Sequence, residues 1–270
     1  MIRKEGKKGQ VTIFIIIAIL LVALCILVYL YYPKIIGSFN TETKNPSTYI
    51  KDCVQKDLQE NIDTISLQGG SFVVDKNTGY FYKKEGEDGN YVKYLCYTGS
   101  NEINTPCINQ EPFLTEHVQK EILNSINSEI ITCFDALVKS YDKKGYEVNL
   151  KNGTPSVQII PNVISTNFNR TLTLKKGDET ETYRTFEINL NSNLYEMLED
   201  AKNIVVWEMI VGNSVPEAYM YNNPYIRVEK HRKDNDVNVY VLTDINTEDS
   251  FRFAVRSYPI PVGIGTVNVA

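Results

Sequence analysis

Histidine is nearly absent from this chain, with only His117 and His231 among 270 residues, and tryptophan occurs once, at Trp207. Two histidines far apart cannot supply ligand spacing for zinc, and no Cys-x-x-Cys pair or His-Glu-x-x-His segment exists to replace them. Also missing are a Gly-x-Ser-x-Gly elbow and a glycine-rich phosphate loop closing on Lys-Ser/Thr. A Ser-His-Asp arrangement would have to use His117, in the first turn of an expected helix, or His231, between Lys230 and Arg232. Both read as solvated surface residues. These absences point away from catalysis, and the sequence supplies no catalytic, cofactor or metal residues to set against them. Paired carboxylates, which a glycosidase or peptidase would need, leave no spacing signature.

Positive charge is scarce beyond the start of the chain. Formal charge is −5, yet the first ten residues carry +3 from Arg3, Lys4, Lys7 and Lys8 against Glu5, which leaves −8 for the remainder. A domain that acidic, with no basic stripe, is not expected to bind nucleic acid. Low-complexity segments and internal repeats are also absent. Hydrophobic residues at 43% and charged residues at 23% are ordinary for a chain that buries a core.

One run has no charge at all. Val11 to Tyr32 reads VTIFIIIAILLVALCILVYLYY. Twenty-two residues rise about 33 Å as a helix, enough for a hydrocarbon core of about 30 Å. No polar face interrupts the run, as a core helix of a globular domain would require. Tyr29, Tyr31 and Tyr32 lie at one end like an aromatic belt, Pro33 follows, and the basic cluster sits at the other end. Residues 1–10 are thus expected to be a cytoplasmic leader, 11–32 a single transmembrane helix in the lipid bilayer, 33–47 a stalk, and 48–270 an extracytoplasmic domain. That domain could be one unit or two halves, 48–145 and 146–270. A cleaved secretory signal would have a shorter apolar region and an Ala-x-Ala-like site, which does not follow Tyr32.

The segment Lys7-Lys8-Gly9-Gln10-Val11-Thr12-Ile13-Phe14 resembles an archaeal class III, or type IV pilin-like, signal peptide. That resemblance implies cleavage between Gly9 and Gln10 by a prepilin-type signal peptidase on the cytoplasmic side, with the apolar helix retained. Phe14 stands where polymerising pilins carry a glutamate, five residues into the mature helix, so export is implied more strongly than filament assembly. The start, together with Cys53 and the later Gln68-Gly69-Gly70, is also similar to single-pass proteins of small-genome archaea whose activity is not established.

Apolar spacing organises the rest. Ile50, Cys53, Val54, Leu58, Ile62 and Ile65 make a helical stripe opened by Ser47 or Thr48 and stopped by Gly69-Gly70. A long helix is expected from about Thr115 to Asp142, with Val118, Ile122, Ile126, Ile130, Cys133 and Leu137 inside. A third spans about Asn193 to Val211 on Leu194, Met197, Leu198, Ala201, Ile204 and Val205. Phe72–Val74 and Tyr80–Tyr82 read as a hairpin, Tyr91–Tyr97 as a strand, and residues 172–174 and 186–190 as strands around a Lys176-Gly177-Asp178 turn. Alternation returns at Val237–Val241 and Phe251–Val255. The class is α+β, with a mainly antiparallel sheet and about three amphipathic helices.

Cys25 falls in the apolar run, leaving Cys53, Cys96, Cys107 and Cys133, an even number suited to an oxidising compartment. Three pairings are open. Two stripes that should face each other favour Cys53–Cys133, with Cys96–Cys107 closing a short loop. Asp75-x-Asn77-x-Gly79, Asp234-x-Asp236-x-Asn238 and Asp244-x-Asn246-x-Glu248 resemble fragments of calcium loops but read as turns, since none continues to the glycine and distal glutamate of an EF-hand. Trp207 and the tyrosines read as core. Asn152-Gly-Thr and Asn169-Arg-Thr are glycosylation acceptor sequences.

These observations converge on a non-enzymatic, membrane-anchored cell-envelope protein without a cofactor, whose domain contacts other envelope proteins or surface glycans. The alternatives are a small-molecule or glycan-binding module and a carboxylate-based hydrolase. Mass spectrometry of the protein from its natural host should find the N-terminus at Gln10, and an intact Met1 would remove the pilin-like processing.

Overall fold

The computed structural model describes residues 20–22, 45–99 and 105–259, in an α+β arrangement with mostly antiparallel sheets. The expected cleavage at Gly9–Gln10, most of the 11–32 run and nearly all of the stalk lie outside the described residues. No helix among them is long and apolar enough to cross a membrane. Residues from Pro46 onward group as one compact unit, separate from Met1–Asn45.

Helix α1, Pro46–Leu67, begins earlier than its stalk assignment because proline suits a first helical position, where an amide N–H would have no partner. Ser47 does not cap it; its hydroxyl donates to Thr185 O at 2.9 Å. Helix α2, Leu114–Lys143, lies along α1, and Ile50, Val54, Leu58, Ile62 and Ile65 are buried, as are Val118, Ile122, Ile126, Ile130 and Leu137 of α2. Each such aliphatic side chain contributes roughly 1.5–3 kcal/mol by leaving water. The seam is closed covalently by Cys53–Cys133, with Cα atoms 6.1 Å apart.

The helix pair carries three sheets. Strands β1 (Gly79–Tyr82), β2 (Asn90–Tyr97), β3 (Ile108–Asn109), β10 (Ile226–Arg232), β11 (Val237–Asp244) and β12 (Ser250–Arg256) form the largest. Its order is β1-β2-β12-β11-β10, with β3 also on β2 and a parallel β2–β12 pairing. Cys96–Cys107 ties β2 to the residue before β3. The other sheets are three-stranded: β4 (Glu147–Lys151), β7 (Thr171–Lys176) and β8 (Glu179–Tyr183); and β5 (Ser156–Ile160), β6 (Val163–Asn167) and β9 (Glu187–Asn191). Phe134 of α2 meets Phe168 and Phe186 edge-on, at 6.2 and 5.0 Å between ring centres, which knits this half to the helix.

Two expected pairings are different. Phe72–Val74 is not a strand: the Phe72 amide donates to Glu121 Oε2 at 2.8 Å, and β1 pairs instead with β2. At the Lys176-Gly177-Asp178 turn the partner of β7 is β8, whereas β9 crosses to β6.

Helix α3, Leu194–Val211, ends at Gly212 in the left-handed region (φ 69°). A Cβ there would lie 2.2 Å from Tyr258 O, so only glycine fits between helix end and chain. Beside that turn Glu208 is fully buried. Its Oε1 accepts from the Tyr240 hydroxyl, from Lys230 Nζ at 3.0 Å and from Ser214 N at 3.1 Å. Burial lowers the Lys230 pKa, and the nearby glutamate partly restores it. A short helix, α4 (Pro216–Asn222), follows.

On the loop-entropy model, the 80-residue separation of Cys53–Cys133 stabilises by about 4.5 kcal/mol and the 11-residue one of Cys96–Cys107 by about 3 kcal/mol. In urea titrations Cys53→Ala/Cys133→Ala should therefore lower the unfolding free energy by about 2–5 kcal/mol. Cys96→Ala/Cys107→Ala should cost less, and the reverse order would contradict the seam's central role.

Candidate functional site

A cleft of about 590 Å³ opens where α1, the start of α3, the β1–β2 loop and the β11–β12 turn meet. Most of its walls are polar, and no aromatic side chain lines it. Asp244 closes β11 and is fully buried. Its Oδ1 accepts from Asn246 N at 2.7 Å and Thr247 N at 3.3 Å, and Asn193 Nδ2 donates to Oδ2. The aspartate therefore builds the turn. Asp75 does the same in its loop, accepting from Asn77 N and Thr78 N at 2.7 and 3.2 Å. In the third such segment, Asn235 and Asp236 take left-handed φ angles of 59° and 58°.

Past that turn, Asp249 faces the cleft. Burial pushes its pKa up; a hydrogen bond with Thr247 opposes the rise, and the charges of Asp63 and Asp244 reinforce it. Arg252, from β12, is buried and forks onto Glu87 at 2.6 and 2.8 Å. That bond is the main reason the Glu87 carboxyl titrates below its usual range. The fork also ties the β1–β2 loop down as one lip of the cleft. Lys84 and Arg227 complete the cationic lining, and Ser66, Thr243 and Ser250 add hydroxyls.

A second constellation surrounds His117, which is half-buried rather than solvated. Its packing on the Gly70 turn and its contacts with groups from β2 and the preceding loop explain the difference. Ser71 Oγ lies 2.8 Å from Nε2 of the ring, and Glu111 Oε2 lies 3.7 Å from Nδ1. Lys93 donates to Ser71 Oγ at 3.2 Å and to Glu111, and sits 3.3 Å from Nε2. Burial lowers the His117 pKa first, and the Lys93 charge adds to that. The residue types are those of a nucleophile, a base and an orienting acid. Two features disarm them. The Lys93 ammonium competes for the nitrogen that would receive the serine proton, and the amide of Phe72, the residue after the serine, is engaged by Glu121. The group fastens the 68–74 segment to α2.

His231 packs against Tyr82, with ring centres 5.8 Å apart, and burial lowers its pKa as well. Cys53, Cys133, Cys96 and Cys107 are all engaged in disulfides. Among the described residues one trio, Cys53, Glu129 and Cys133, brings three ligand atoms within 4.8 Å, but its sulfurs are bonded to each other and offer no thiolate. Asn152 and Asn169 are both exposed. Trp207, expected in the core, is 52% exposed.

No protein-family model, curated protein or solved structure matches this chain. A serine-directed fluorophosphonate should leave Ser71 unlabelled in the native protein. Labelling that disappears in His117→Ala would instead make this cluster an acyl-transfer site.

Proposed function

We propose that this chain is a membrane-anchored, extracytoplasmic protein of the cell envelope, without catalytic activity, whose domain holds a hydroxyl-rich surface glycan in the polar cleft. The uncharged Val11–Tyr32 run and the basic leader support the address, and the resemblance of the start to a pilin-like signal supports a prepilin-type signal peptidase as a processing partner. Two disulfides suit an oxidising exterior.

The observation that carries the ligand class is the cleft lining. Carboxylates accept from sugar hydroxyls, the cations donate to them, and serine and threonine do both. An apolar ligand would leave unpaired those lining groups that no neighbour already engages, at about 1–3 kcal/mol each. Asp63, Glu87, Asp244, Glu248 and Asp249 outnumber Lys84, Arg227 and Arg252, so neutral or amine-bearing sugars fit better than anionic ones. Without an aromatic wall, recognition would rest on hydrogen bonds rather than stacking.

Asp249, whose pKa burial raises, shares the cleft with Asp63, and two carboxyl groups in one cleft give the carboxylate-hydrolase reading its one foothold. An array of neutral, amino and acidic oligosaccharides separates the readings. Neutral or amino sugars should bind without turnover, and Asp63→Ala/Asp249→Ala should weaken binding at least tenfold. Cleavage of bound sugars that Asp249→Asn abolishes would establish the hydrolase. Failure to bind any member of the array would sink the glycan reading.

A further inference from the structure

Apart from the buried, ion-paired Glu208, the last two turns of α3 are apolar on both their core and their exposed sides. Ile204 and Val205 face the core with Leu198 and Ala201, while Val206, Trp207 and Ile210, at helical spacing on the opposite side, are 47%, 52% and 56% exposed. A helix apolar all round normally has neighbours all round. The surface continues along the chain through Val215, Tyr221 and Tyr225, all exposed. From Asn203 to Ile226 there is no lysine or arginine, and of the two glutamates Glu208 is buried. Exposed aliphatic and aromatic groups gathered in one stretch, Val206 to Tyr225, of an otherwise acidic protein mark a surface that leaves water.

We infer that this α3–α4 face rests on the outer surface of the lipid bilayer that anchors the chain. The inference depends on the membrane-anchored reading. Thirteen residues, 33–45, separate the uncharged run from α1 and reach at most roughly 45 Å, about the diameter of a domain of this size. The bilayer is then always within reach, and contact needs no encounter from solution. Charge selects the face. Beyond the first ten residues the chain carries −8, which anionic headgroups repel, whereas the α3–α4 face presents tryptophan and tyrosine, the residues that favour the membrane–water boundary. Docked in this way, the domain lies against the membrane instead of standing off it.

Trp207 is the only tryptophan in the chain, so its fluorescence reports on this face alone. The full chain would be reconstituted into zwitterionic phospholipid vesicles with bromine on the acyl chains near the headgroup. Trp207 emission should be blue-shifted and quenched by the brominated lipid. Val206→Glu/Ile210→Glu should lose both effects while the tyrosine near-ultraviolet circular dichroism is unchanged. Emission typical of water and quenched by acrylamide would overturn the inference. So would a blue shift without lipid quenching, whether it disappears when the chain is diluted in lipid, which indicates a second copy on the face, or when the chain is ended at Pro259, which indicates its own C-terminal residues. Alkaline carbonate extraction tests the anchor separately. A chain retained in the vesicles with unquenched Trp207 removes only the docking, whereas a chain released by carbonate removes the anchored reading and the docking with it.

Discussion

Everything in the domain leans on the seam between α1 and α2. α1 supports β12 and β9, and α2 supports β4 and β5, so each of the three sheets would lose floor if the helices parted. Helix α3 adds contacts to β2, β3, β11 and β12 and to β5 and β6 over the same core. A seam of aliphatic side chains alone would be non-directional, able to slide by a turn at small loss. The disulfide at Cys53 and Cys133 fixes its register and removes a long loop from the unfolded ensemble.

The polar regions are organised differently. In the cleft, charges that would be costly to bury are used to shape backbone: Asp244 holds a turn, and Arg252 holds a lip through Glu87. Near α3, Glu208 gathers an ammonium, a phenol and an amide on one oxygen. In each case the buried charge has a partner, which turns a desolvation cost into positional specificity. The side chains free to meet a ligand are then held in place by those that are not.

Legibility followed burial periodicity. The three long helices could be read because Ile, Val and Leu recur at helical spacing, and β11 and β12 because their apolar residues alternate. Strand β8, Glu-Thr-Glu-Thr-Tyr, has no buried residue and left no signal. Phe72-Val73-Val74 carried a strand signal that Glu121, far along the chain, overrules by taking the Phe72 amide. The cysteine pairing was readable because two stripes had to face each other. The cleft was not, since Asp63, Glu87 and the Asp249–Arg252 stretch come from three separate segments that only the fold brings together. Trp207 was misplaced for a related reason: helical spacing shows that a face is apolar, not whether anything covers it.

The position of the longer disulfide also sets how the domain would carry tension. A pull applied at Pro46 can draw out only the residues up to Cys53, about 25 Å of chain, before it meets a covalent bond. From there the load passes directly to Cys133 in the middle of α2. Residues 54–132, which hold the Glu87 lip, the Ser71–His117 fastening and the Cys96–Cys107 loop, form a closed ring outside the path of the force. A pull between Pro46 and a point beyond Cys133 would be borne by helix and covalent bond, and the ring, with the cleft wall it carries, would keep its shape under load.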